Sequence, residues 1–232
     1  MAASHYAEDF HRETINNILK KIGLSKEYLK GGVVPSLNTK IAIEQAYNNL
    51  EPDTTFSDCS GKHAGMLAVC RSKGYSVEDY INVNHLCQTE ILKIISHIFE
   101  IPENEIIIGI DGCSVPVHAL PLSKMALAYA KLTNPDVMQK DYKIAANEIF
   151  EAMNNYPEMI SGTGGFCTEL IRHSNRKLIG KVGAEGIYCV GVKGKNIGIT
   201  VKVDSGSMAV LPVIVMKILT DCKFWTLREF QI

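Results

Sequence analysis

The chain has 232 residues, 46 % of them hydrophobic and 21 % charged, with a formal net charge of −1. That composition allows a sizeable core and offers no basic excess to suggest nucleic acid or an anionic membrane surface as partner. The longest apolar stretch, Ala209 to Leu219, is too short to cross a bilayer and is broken by Pro212 and Lys217. The first ten residues lack the basic and apolar regions of a signal peptide, and none of the seven cysteines forms a Cys-x-x-Cys pair. A cytoplasmic protein with reduced thiols is expected.

In chain order, Asp9 to Lys21 has the apolar spacing of an amphipathic helix, with Phe10, Ile15, Ile18 and Leu19 on one side. Gly31 to Pro35 predicts a turn, and a second helix is expected from Lys40 to Leu50, stopped by Pro52. The stretch Ser57 to Leu67 follows, a loop of reactive side chains that opens a helix. His85 to Glu100 predicts another helix. The β-branched run Glu105 to Ile110 predicts a buried strand ending in the turn Asp111-Gly112-Cys113. Val117 to Leu120 is a short strand, followed by helices near Leu122 to Leu132 and Tyr142 to Met153. Ser161 to Gly165 is a glycine-rich loop before a helix containing Cys167; it lacks the lysine of a phosphate-binding loop, and that reading is discounted. Leu178 to Val182, Ile187 to Val192 and Ile197 to Val203 form a meander, with turns expected at Gly183 to Gly186 and Gly191 to Gly194. A closing helix, Ser207 to Thr220, is expected to pack on that sheet. The fold class is α+β, with an antiparallel sheet flanked by helices, and residues 1–232 are taken as a single domain.

The chemistry concentrates in Ser57-Asp58-Cys59-Ser60-Gly61-Lys62-His63. A helix N-terminus there favours a thiolate or a bound anion. The plainer alternative is a Ser- or Asp-capped helix with a buried cysteine.

That stretch, the turn from Gly109 to Pro116, Ser161 to Cys167 and Gly180 to Gly186 together resemble the asparaginase II family, the Rhizobium-type L-asparaginases. Ala3-Ser4-His5, Pro121-Leu122 and Ala126 to Ala130 extend the likeness along the whole chain. The resemblance implies a fold similar to glutaminases and serine β-lactamases, and hydrolysis of L-asparagine to L-aspartate and ammonia by serine and lysine chemistry. A serine hydroxyl is a poor nucleophile until a neutral, positioned amine takes its proton. By resemblance, Ser4 is an active-site serine and Lys181 its partner amine; without the family these are a helix-entry hydroxyl and a solvated strand lysine. Cys59, Lys62 and Cys113 match zinc-binding positions, where the alternative is two buried thiols and a solvated lysine. A lysine ligand must be neutral, which a nearby zinc ion would enforce. The ion would sit beside the reacting carbonyl or act on the substrate ammonium end indirectly. Cys167, Asp111 and His63 are assigned to the substrate side, against core, turn or capping roles. Cys70, Cys87, Cys189 and Cys222 are expected in the core.

The family also places a Ser-x-x-Lys pair upstream of the Ala-Ser-His motif, whereas this sequence begins at Met1, just before it. An N-terminally shortened form is therefore expected, and its edge strand would invite dimerisation. A homodimer is implied by resemblance only. The rival reading is a non-catalytic, zinc- or ligand-binding homologue. A thiol-dependent enzyme using Cys59 or Cys167 has no local His/Asp signature and ranks last.

Overall fold

The computed structural model describes residues 4–225. The chain divides into two compact units, Met1–Ala119 and Leu120–Ile232. Both contain helices, and each contains one antiparallel sheet, so the fold is α+β.

The first unit is built on α3 (Ser60–Lys73), whose Ala64, Leu67 and Cys70 are fully buried. Its apolar face packs with Ile15 and Leu19 of α1 (Asp9–Lys21) and with Tyr80 and Cys87 in one core cluster. Full burial of a side chain such as Leu67 contributes about 1.5–3 kcal/mol. The helix ends at Gly74, whose φ of +71° lets the chain turn out while Tyr75 N–H donates back to Cys70 O at 2.8 Å. The side-chain amide of Gln88, on α4 (Leu86–Phe99), donates to Tyr80 O at 2.7 Å and so ties the intervening loop down. α2 (Thr39–Tyr47) has no buried residue and stops before Leu50, because Asn48 caps it and Asn49 turns left-handed at φ +52°.

Strands β1 (Ile107–Ile110) and β2 (Pro116–Ala119) form a hairpin, pairing Ile107 with Ala119 and Ile110 with Pro116. The expected buried strand is instead short and bare: Ile107 is 73 % exposed and Ile110 66 %. A two-stranded ribbon is only marginally stable in water. This one is closed at its tip by Asp111 N–H to Val115 O at 2.8 Å and Ser114 N–H to Asp111 O at 2.9 Å. That turn carries Cys113 inward, where it is buried with Val115.

The second unit is a three-stranded meander of β3 (Leu178–Gly183), β4 (Ile187–Val192) and β5 (Ile197–Lys202). α5 (Leu122–Thr133) lies against β4 and β5, α7 (Phe166–Arg172) against β3, and α6 (Lys140–Asn155) beside both helices. α8 (Leu211–Asp221) touches β4 and β5, as expected, but starts four residues later than its apolar pattern suggested. The β3–β4 turn uses Glu185 and Gly186 at positive φ, the geometry that matches strand twist. Gly191, expected in the next turn, is a strand residue. Cys222 is exposed rather than core.

Two strand glycines set the spacing of this unit. A Cβ on Gly198 would lie 1.8 Å from Ala126 O, and one on Gly191 would lie 2.6 Å from Tyr129 O. The sheet therefore meets the backbone of α5 directly. Gly198→Ala is expected to destabilise the protein by at least the ~1–3 kcal/mol of ordinary overpacking, read as a lower urea midpoint. An unchanged midpoint would contradict this packing.

Candidate functional site

Cys59 stands at the N-cap of α3, and Ser60, Lys62 and His63 lie on the helix itself rather than in a preceding loop. The hairpin turn delivers Asp111 and Cys113 to the same place. One ligand atom from each of Cys59, Asp111 and Cys113 falls within 4.8 Å of the others, a group that could hold a metal ion. Lys62 Nζ donates to Asp111 Oδ2 at 2.8 Å, and Cys113 Sγ is 3.3 Å from the same oxygen. All four side chains are buried or half-buried.

The electrostatics of this cluster are tightly linked. The Cys59 thiol donates to Cys113 and holds the Cys113 pKa well below the ordinary thiol value, against the opposing effect of burial; His63 and Lys62 lower it further. The same hydrogen bond, reinforced by burial, pushes Cys59 far up. The helix N-terminus was expected to favour a thiolate at Cys59. The structure instead puts the anionic tendency on Cys113, because the hairpin turn supplies a better-surrounded sulfur. Burial and the neighbouring Cys113 also raise Asp58. Crowded sulfur and carboxylate with a single lysine form a donor set suited to a borderline-soft cation such as zinc.

Burial works against the Asp111 carboxylate, but the hydrogen bond and charge of Lys62 outweigh it and leave its pKa below the ordinary 3.8. Burial likewise opposes the Lys62 ammonium, and the Asp111 hydrogen bond with the nearby thiols more than offsets it, raising the pKa above 10.5. A lowered acid pKa stabilises the fold above its unfolded value and loses that contribution as pH falls through the folded value. A raised lysine pKa stabilises below its unfolded value and loses the contribution as pH rises through the folded one. The ion pair is therefore fully effective between pH 3.8 and 10.5. Asp111→Asn is expected to cost about 1 kcal/mol within that window, since both side chains are partly exposed, with the difference shrinking in more acid solution. Urea unfolding across pH checks this; a difference that persists unchanged to about pH 2 would sink it.

Ser4 is held beside this cluster through its backbone. Its N–H donates to Asp58 O at 2.8 Å, next to Cys59, and its φ of +67° is uncommon for a residue with a Cβ. His5 anchors the motif: it is buried, its Nδ1 accepts from Ala7 N–H at 3.1 Å, and its Nε2 lies 3.0 Å from Ser60 Oγ. Ser60 Oγ in turn donates to Thr55 O at 3.0 Å. His5 belongs to the Ala3-Ser4-His5 motif. Its contact with Ser60 Oγ ties the Ser4 segment to the start of α3.

Lys181 and Cys167 belong to the second unit. Lys181 lies on β3 opposite Cys189, is half-buried, and donates from Nζ to Val182 O at 2.7 Å. Cys167 is buried at the start of α7, where its sulfur accepts from Val182 N–H at 3.3 Å. This contact pins the strand to the helix immediately beside Lys181. Gly180 is required by packing, because a Cβ there would come within 2.8 Å of both Leu170 Cδ2 and Tyr188 Oη. The glycine-rich loop is closed on itself: Thr168 Oγ1 donates to Pro157 O at 3.1 Å and sits 3.0 Å from Ser161 Oγ.

The first unit thus holds the Ser4 backbone beside a thiol–carboxylate–amine cluster, and the second carries Lys181 on a strand. Comparison with protein families matches residues 1–231 to L-asparaginase II, and the chain belongs to that family. The match runs through both units. It marks the chain as an amidohydrolase of the asparaginase kind. A search of curated proteins finds no match. No helix among the described residues is long and apolar enough to cross a membrane.

Proposed function

We propose that the protein hydrolyses the side-chain amide of L-asparagine, giving L-aspartate and ammonia. The observation that carries this reading is the convergence of the Ser4 backbone, through Asp58, on the Cys59–Asp111–Cys113 cluster in a chain of this family.

In this proposal Ser4 Oγ attacks the amide carbonyl carbon while the neutral Lys181 amine takes the hydroxyl proton. Backbone N–H groups stabilise the oxyanion of the tetrahedral intermediate. The C–N bond then breaks, and the lysine ammonium returns the proton to the departing ammonia. Water, deprotonated by the same amine, attacks the acyl-serine ester and releases L-aspartate, restoring the Ser4 hydroxyl. The pairing of Ser4 with Lys181 rests on the family's motifs.

A zinc ion would be held by Cys59 and Cys113, with a third donor from the Lys62–Asp111 pair. Asp111 is the member ready to bind: its oxygen lies within 4.8 Å of both sulfurs and carries no proton. Lys62 would bind only after giving up a proton that Asp111 helps it hold. When bound, zinc supplies Lewis-acid polarisation of an oxygen next to it. Cys167 is placed to position Lys181 through Val182, and Asp111 and His63 to order the metal side.

The test is ammonia release from L-asparagine by the purified chain, with L-glutamine in parallel and zinc quantified on the same sample. Release of ammonia with bound zinc supports the full reading. Bound zinc with no ammonia overturns the catalytic part and favours a ligand-binding homologue. Release without zinc removes the metal from the proposal.

A further inference from the structure

Ser4 and Ala7 both take left-handed backbone conformations, at φ +67° and +53°, although each carries a Cβ. Two such residues so close together are uncommon, and they persist only where the surroundings over-determine the chain. The segment is held from several sides. Ser4 N–H and His5 N–H donate to Asp58 O at 2.8 and 3.4 Å. Ser36 Oγ donates to Tyr6 O at 2.5 Å, and Gln45 Nε2 donates to Ala7 O at 3.0 Å. Inside these clamps lies the imidazole of His5, only 1 % exposed. Its proton positions follow from two groups that have no choice. Ala7 N–H can only donate, and it does so to His5 Nδ1 at 3.1 Å. Thr55 O can only accept, and it takes the Ser60 hydroxyl proton at 3.0 Å. The Ser60 oxygen is thereby left as an acceptor 3.0 Å from His5 Nε2. An imidazole that accepts at Nδ1 carries its proton at Nε2 when neutral, so the donation runs from His5 to Ser60. His11, fully buried, stacks on this ring at 4.9 Å and 18° and fixes its plane.

We propose that His5, as its Nε2–H tautomer, is a positioning residue that locks Ser4 in its left-handed conformation against the start of α3. This rests on the reading of Ser4 as nucleophile and names the group that sets its approach. The φ of Ser4 fixes the direction of its Cα–Cβ bond, and the hydroxyl follows that bond. His5 is suited to the task because it bonds both ways: back to Ala7 in its own segment and across to Ser60 on α3. Without the imidazole, the fully buried Ala7 loses the acceptor of its N–H, and both left-handed residues are free to return to ordinary φ. A nucleophile displaced by about 1 Å loses about 10²-fold in rate, while the contacts that bind substrate are untouched. His5 acts entirely through Ser4 and reaches no reacting atom itself.

The test combines kinetics on L-asparagine with NMR of the full chain, labelled at the backbone and with 15N-histidine. In wild type, His5 is expected as the Nε2–H tautomer, and Ser4 should show the backbone shifts and couplings of a positive φ. His5→Leu should lower kcat about 10²-fold with KM little changed, and Ser4 should move to a negative φ. His5→Asn should recover part of the kcat, because its Oδ1 can accept from the N–H two residues on, as in an Asx turn. Ser60→Ala should cost less than His5→Leu, and the double variant no more than His5→Leu alone, since the two act in one chain of bonds. An Nδ1–H tautomer in wild type would overturn the proposal. So would a lowered kcat in His5→Leu with the φ of Ser4 unchanged, or an unchanged kcat. Should the wild type release no ammonia, the asparaginase reading fails, while the tautomer and the φ of Ser4 in His5→Leu still decide what His5 holds. Should His5→Leu fail to fold, His5→Asn and the wild-type tautomer decide it.

Discussion

Lys181→Met is expected to lower turnover of L-asparagine by at least about 10²–10⁴-fold, the range for losing a positioned general base. Methionine keeps the length of the side chain and its packing along β3 while removing the amine. Losing the donation to Val182 O should cost about 0.5–1.5 kcal/mol in urea unfolding, small beside the loss of turnover. Ser4→Ala is expected to cost a similar factor, and the double variant no more than either alone, because a nucleophile and its base act as one unit. Multiplicative losses would show that the two residues serve separate steps. Activity unchanged in Lys181→Met would remove the lysine from the mechanism, and the catalytic base would have to be sought elsewhere.

The second large effect concerns the metal. Cys113→Ala should reduce zinc affinity by more than the 10- to 100-fold associated with losing a hydrogen-bond partner of a ligand, because it removes a ligand itself. Zinc per chain after gel filtration is the measurement, with Cys222→Ala as the comparison. Cys222 is exposed and remote in sequence from the cluster, and its replacement should leave zinc content unchanged. Equal zinc in the two variants would mean that the Cys59–Asp111–Cys113 group does not hold the ion.

Much of the architecture was legible in the residues. The strands at 178, 187 and 197 are set by alternating β-branched residues between turn formers, and they appear within a residue or so of the expected bounds. α1 is bounded as its periodicity implied, from Asp9 to Lys21. The run at Glu105 to Ile110 shows the limit of such patterns. A β-branched stretch looks the same whether or not another layer covers it, and here Ile107 and Ile110 are largely exposed. Gly191 and Gly198 likewise read as turn or weak-strand signals. Their purpose emerges only when α5 is found against the sheet at backbone distance. Cys222 looked like other core thiols because residue type reports a tendency to be buried, whereas placement decides the fact.

The candidate site divides in the same way. The resemblance to the asparaginase II family, rather than residue type, singled out Ser4, Cys59, Lys62, Cys113, Cys167 and Lys181, since on type alone a core thiol, a solvated lysine or a helix-entry hydroxyl reads as well. It also placed Asp111 and His63 next to them. What it could not contain is distance: that Lys62 is paired with Asp111, 49 residues away, or that Cys59 and Cys113 meet so that one thiol is pushed up and the other down. His5 stood out only as part of the Ala3-Ser4-His5 motif, and its imidazole meeting a hydroxyl 55 residues on is a product of packing. Local preference sets helices, strands and turns because its energies act over a few neighbours. Burial, proton placement and the direction of a hydrogen bond depend on groups far apart along the chain, and only the tertiary structure brings those together.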